Sequence, residues 1–210
     1  MYFTPRQRDL SSEQMAGLYE TLSTNRVLHM YGLMAHTDHG AMPRIDPFSP
    51  HFIADAILAM NMDSTVRPIW VMISSIGGVV DDGLVLYDAI KTSRAPVYTV
   101  GRNCMSMGAI ILSAGNPGHR YIYPRSRVML HQPSSISGGD AATQTKQVAE
   151  IQRLHNLLVD LLIENGVSKP RNEILMDIDR EFWMNANETI NYGVADQLVT
   201  SDILFPIVHS

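Results

Sequence analysis

Cysteine is almost missing from this chain. Its 210 residues include one, Cys104, so no disulfide can close within it, which fits a reducing compartment. Long apolar runs are missing too; none approaches the ~20 residues that a membrane helix needs. No cluster of Lys and Arg stands out, and the formal net charge is -5. Neither nucleic acid nor an anionic membrane is therefore an expected partner. The opening stretch MYFTPRQRDLSSEQ has no apolar h-region of a secretory signal, so the expectation is a cytoplasmic protein. Phosphate-binding loops are absent as well: neither G-x-G-x-x-G nor G-x-x-x-x-G-K-[ST] occurs. No cofactor is expected, and no ATP-hydrolysing apparatus in the chain itself.

What is present is a sizeable core. Hydrophobic residues make up 45% of the sequence, and there are 13 methionines, most simply read as adaptable core filling. The periodicity predicts a helix over 11–21, a strand over 27–31 and a polar loop to about residue 49. A second helix starts at Ser49-Pro50, a cap followed by proline at the first helical position. PIWVMIS (68–74) is a continuous apolar run, as in a strand buried on both faces. Gly77-Gly78 follow it, then a helix over 80–91, a strand over 97–101 and a helix after Ser106 ending near Gly115. HRYIYP and RVMLHQ read as strands. SSISGGDAATQ reads as a loose extension before the longest helix, 142–165. A helix over 170–177, a turn, a helix over 187–192 and a strand over 197–199 complete the pattern. Alternating strand and helix predict an α/β fold with largely parallel strands.

Ser106 stands where a strand gives way to a helix. It is either a helix cap or a nucleophile held at a sharp turn, with the N–H of Met107 beside it as an oxyanion donor. G-x-S-x-G itself is absent. Gly77-Gly78 is either a tight turn or a bare backbone close to substrate that offers a second donor. His131 ends a strand that can lie beside the serine, where a neutral imidazole would act as general base. A carboxylate usually orients such an imidazole, and DIDREF supplies Asp177, Asp179 and Glu181. His36 and His39, with Asp38 between them, are too few ligands for a structural zinc; no metal is expected.

Three stretches resemble the Clp-type serine peptidases: SSIGGVVDDGLVLYDAIK (74–91), SMGAIILSAGNPGHRYIYPRSRVMLHQP (106–133) and DIDREFWMNANETINYGVADQLV (177–199). The resemblance implies a crotonase-like fold of stacked ββα units with a protruding strand-and-helix handle at about 132–165. It implies a peptidase domain over 26–200, an N-terminal segment 1–25 that matches poorly, and a tail, 201–210. It places Ser106 as nucleophile, His131 as general base, and Gly78 and Met107 as oxyanion donors. The family's triad aspartate corresponds to Glu181, with Asp179 as the reserve. Two further departures are Arg102, where the family usually has glycine, and residues 33–49, which look inserted.

The implied activity is endopeptidase cleavage of unfolded polypeptides. The implied partners are further copies in stacked seven-membered rings, and a hexameric AAA+ unfoldase that alone consumes ATP. A bacterial, plastid or phage origin fits equally. The apolar face of the 142–165 helix is more than a small domain buries, so handle-to-handle packing is expected, with Gln132 and residues 134–145 near the interface. Two rival readings remain. One is a catalytically impaired ring subunit paired with an active paralogue, which Glu181 keeps alive. The other is a crotonase-type acyl-CoA enzyme, which Ser106 and His131 disfavour.

Overall fold

The computed structural model describes residues 20, 24–34, 49–134 and 140–204. Strand β1 (Val27–Met34) leads through helix α1 (Pro50–Asp63) to β2 (Ile69–Gly78). Then come α2 (Val80–Thr92), β3 (Val97–Met105), α3 (Met107–Ser113), β4 (Arg120–Ile122) and β5 (Arg127–Leu130). Helix α4 (Ala141–Glu164), α5 (Arg171–Asp177), β6 (Phe182–Asn185), α6 (Ala186–Tyr192), β7 (Gln197–Leu198) and α7 (Ser201–Leu204) follow.

Local chemistry explains several boundaries. Ser49 Oγ accepts the Phe52 N–H at 3.3 Å and Pro50 opens α1, as the sequence predicts. Asn185 and Glu188 form a reciprocal capping box at the start of α6. Gly193, at φ 96°, ends that helix.

Strands β1, β2, β3, β4 and β7 lie side by side in that order, all parallel. Along β2, alternate residues serve opposite faces. Ile69, Val71 and Ile73 join the main core with Ile53, Leu86, Ile111 and Leu162. Trp70 and Met72 join a smaller aromatic cluster with Val100 and Tyr121 on the other face. The apolar run of β2, Ile69–Ile73, is thus buried on both sides, as its sequence predicts.

Strand β3 changes partners midway. Thr99–Gly101 pair with β4, whereas Cys104 and Met105 pair with Val128 and Met129 of β5. β5 in turn pairs antiparallel with β6. The end of β3, β5 and β6 therefore form a limb of their own, and it carries the candidate site.

Arg120 locks β4 to its surroundings. Its Nε and Nη2 donate to Asp196 at 2.9 and 2.5 Å, and its Nη1 donates to the carbonyls of Asn165 and Gly193. Burial alone would raise the Asp196 carboxyl, but the bonds from Arg120 outweigh it and hold that carboxyl below its usual range.

Three strands run further than the sequence predicts. β1 continues to Met34 because its last residues pair with Gly77 and Gly78, which extend β2. β3 continues to Met105 because β2 and then β5 supply partners. β6 replaces the expected turn; its four residues are strand only because β5 lies opposite. The short α7 is not predicted either. Most of the predicted 11–21 helix, the 35–48 part of the polar loop with His36, Asp38 and His39, and residues 135–139 lie outside the described residues.

Candidate active site

Ser106 sits at the junction of β3 and α3. Its side chain caps nothing, although it occupies the N-cap position of α3. Its Oγ instead lies 2.9 Å from His131 Nε2. Its backbone sits at φ 55° and ψ -126°, a conformation that costs a non-glycine residue about 1–3 kcal/mol. Two kinds of contact hold it there. The Ser106 N–H donates to the Met129 carbonyl at 2.7 Å, and its own carbonyl accepts the N–H of Ala109 at 3.0 Å. This is the strained strand-to-helix turn that displays a hydroxyl above a sheet edge.

Gly77 and Gly78 are fixed by contact as well as by torsion. A Cβ on Gly77 would fall 2.5 Å from the Ser106 Cβ and 2.8 Å from the Met105 carbonyl oxygen. A Cβ on Gly78 would fall 1.9 Å from the Met34 carbonyl oxygen. Both residues have positive φ, 91° and 148°. The Gly77 N–H is engaged by Ser75 Oγ at 3.1 Å, and Gly78 is the glycine of this turn that lines the pocket beside Ser106. The Met107 N–H opens α3 and has no carbonyl of its own helix to bond.

Gly78, Ser106 and His131 share a pocket of about 70 Å³ with the apolar side chains of Ile110, Leu130 and Leu158. The pocket therefore brings a hydroxyl, an imidazole and an apolar wall together in one place. Cys104 is no part of it. That thiol is fully buried in the core, and burial pushes it up to about 12. Arg102 does not line the pocket; its guanidinium donates to Tyr31 Oη at 3.3 Å and lies 5.6 Å from the Tyr123 ring.

The carboxylates are placed differently. Asp177 Oδ2 is held by Lys169 Nζ at 2.7 Å and Tyr192 Oη at 3.0 Å. The Asp179 carboxylate lies 3.6 Å from Arg180, while its backbone carbonyl accepts Gln132 Nε2 at 2.7 Å. Glu181 Oε2 accepts the Trp183 indole N–H at 3.0 Å. Among the described residues, the hydrogen bond of His131 goes to Ser106, and none joins it to Glu181 or Asp179. Trp183 and Gln132 thus have contacts at the site that the sequence reading does not assign. Trp183 was legible in principle, because Glu181 and Trp183 are two apart and share a face once β6 is recognised as a strand.

A hydroxyl on a strained turn, 2.9 Å from an imidazole and beside the first amide of a helix, is equipped for acyl transfer through a serine. The comparisons agree with that class. The family model described as Clp protease matches residues 40–202. The chain is 39% identical over 158 residues to "ATP-dependent Clp protease proteolytic subunit 2" of Chlamydia muridarum, an alignment covering 74% of this chain and 76% of that one. Identity and coverage are the same for the Chlamydia pneumoniae protein of that name. It is 32% identical over 160 residues to "ATP-dependent Clp protease proteolytic subunit 3, chloroplastic" of Arabidopsis thaliana, covering 74% of this chain and 50% of that one. The chain belongs to the Clp protease family, and its mixed α/β fold with a mostly parallel sheet is that of the family.

Proposed function

We propose that this Clp-type protease subunit cleaves peptide bonds through Ser106 and His131. Ser106 Oγ attacks the scissile carbonyl carbon while His131 Nε2 takes the hydroxyl proton. The tetrahedral oxyanion is held by the N–H groups of Gly78 and Met107. His131 returns the proton to the leaving amine, and water then hydrolyses the acyl ester by the same steps in reverse. Glu181 is the carboxylate assigned to the imidazolium, with Asp179 as the reserve.

The observation that carries this reading is the 2.9 Å contact between Ser106 Oγ and His131 Nε2, made by a serine that forgoes its helix cap. Ser106→Ala tests it. A fluorogenic peptide cleaved equally by variant and wild type would refute the assignment. A fluorophosphonate that labels the wild type and spares the variant is the expected result. An impaired ring subunit would stay unlabelled in both forms. A crotonase-type enzyme would instead gain thermal stability with acyl-CoA.

The proposal extends to assembly. Val148, Leu157 and Ile163 on α4 expose apolar side chains in the single chain, and Leu58, Met62 and Val66 do so near α1. Such surface supports packing against further copies, here in seven-membered rings stacked in pairs. A AAA+ unfoldase would feed unfolded polypeptide to them and alone consume ATP. No helix among the described residues is long and apolar enough to cross a membrane, and we place the protein in the cytoplasm.

A further inference from the structure

The register of β5 and β6 sets the starting point. Arg127 pairs with Asn185, Met129 with Trp183 and Leu130 with Phe182. Residues two apart on one strand share a face. Arg127 and Met129 therefore lie on one face with Asn185 and Trp183, and continuing the alternation adds His131 and Glu181. One further step of the register would set His131 opposite Glu181, a distance at which cross-strand side chains meet. The β5–β6 pairing ends at Leu130 and Phe182 instead. The Gln132 N–H bonds the Ile178 carbonyl at 2.8 Å, and Gln132 Nε2 bonds the Asp179 carbonyl. The Glu181 carboxylate points along its own strand to the Trp183 indole N–H at 3.0 Å. The Arg127 guanidinium covers that indole, 4.4 Å from its ring.

From this row we infer that Trp183 is a positioning residue: its indole N–H parks the Glu181 carboxylate away from His131, so that Ser106 and His131 stand as a dyad until the tether opens. The inference rests on the proposed roles of Ser106, His131 and Glu181. A carboxylate bonded to an indole N–H gives up that bond before it can accept one from His131 Nδ1. Glutamate makes the tether possible, because its extra methylene carries the carboxylate to the ring two residues on. Arg127, with its guanidinium 4.4 Å from the ring, packs over the indole and favours that ring placement. Once released, the anion would stabilise protonated imidazole and hold the tautomer that accepts from Ser106.

The test is a double-mutant cycle on the full chain with Trp183→Phe, Glu181→Gln and both together. The ring is kept in W183F, so packing under Arg127 survives while the N–H is lost. The first readout is the rate of fluorophosphonate labelling across pH. The expected result is that W183F labels at least threefold faster than wild type, with the midpoint of its pH profile moved upward. E181Q should then slow W183F at least tenfold more than it slows the wild type, and return the midpoint. Equal effects of E181Q in both backgrounds, or a W183F variant no faster than wild type, would overturn the tether. A second readout needs no activity: the titration of His131 followed in protein carrying isotope-labelled histidine. W183F should raise the proton affinity of His131 about tenfold, and E181Q should cancel that rise. If no form is labelled yet the titration behaves in this way, the tether stands and the peptidase reading falls.

Discussion

The two sides of the site are built to different standards. On the serine side, every degree of freedom is taken up. Ser106 is held at positive φ by bonds to Met129 and Ala109, Gly77 leaves no room for a Cβ against it, and Met107 behind it is buried. On the carboxylate side, Asp179, Arg180 and Glu181 are exposed, and single side-chain contacts settle where the two carboxylates point. Close packing cannot be bent without cost. An exposed carboxylate that exchanges one hydrogen bond for another pays little. The fold thus pre-organises the proposed nucleophile, whereas the carboxylate proposed to assist it is held by a single exposed contact.

The largest effect that would sharpen this contrast is chemical. Ser106→Ala should lower peptide hydrolysis by about three orders of magnitude or more, read as kcat/KM on a fluorogenic peptide, with an unchanged melting temperature. Next is the ion pair that locks β4 in the sheet. Arg120→Met leaves the half-buried Asp196 carboxylate without its buried partner and should cost about 3–5 kcal/mol in denaturant unfolding. The Asp196 contribution is present above the unfolded carboxylate value of about 4, and is lost as pH falls through the lower folded value. Wild-type stability should therefore drop more steeply in acid than that of Asp196→Asn.

Gly77→Ala tests the packed turn directly. It should cost about 1–3 kcal/mol and depress hydrolysis as well, because the new methyl meets the serine itself. Glu181→Ala, on the open side, should change stability by less than about 0.5 kcal/mol. A loss as large as that of Gly77→Ala would break the comparison.

The smallest expected effect concerns His155. Its Nε2 is buried on α4 without a partner among the described residues. Burial lowers its proton affinity, Arg171 lowers it further, and Asp179 opposes both. The unfolded chain then takes up a proton near pH 6.5 that the folded chain refuses, so stability should decline as pH falls below that value. His155→Gln should flatten that decline in a urea titration from pH 7 to pH 5.

How much of this was legible depended on whether the cause is local. The α1 start was readable because Ser49 and Pro50 act within one turn. The buried β2 run and the strand–helix alternation were readable from periodicity, and the serine–histidine placement from motif order and resemblance. The ends of β1, β2 and β3 were not, since the partner that extends each strand comes from elsewhere in the chain. β6 escaped for the same reason: FWMN carries little strand signal until β5 lies beside it. The destination of Glu181 was the least legible feature. It turns on one bond to a ring whose position the same unseen strand decides.

The solitary thiol has a practical sequel. Cys104 is sealed inside the sheet and its sulfhydryl stays protonated at physiological pH, so alkylating reagents should find nothing to modify while the subunit is folded. A brief pulse of such a reagent would then count opened molecules one by one, with no tag added, and a cysteine engineered at the surface would be the sole point of attachment for a probe.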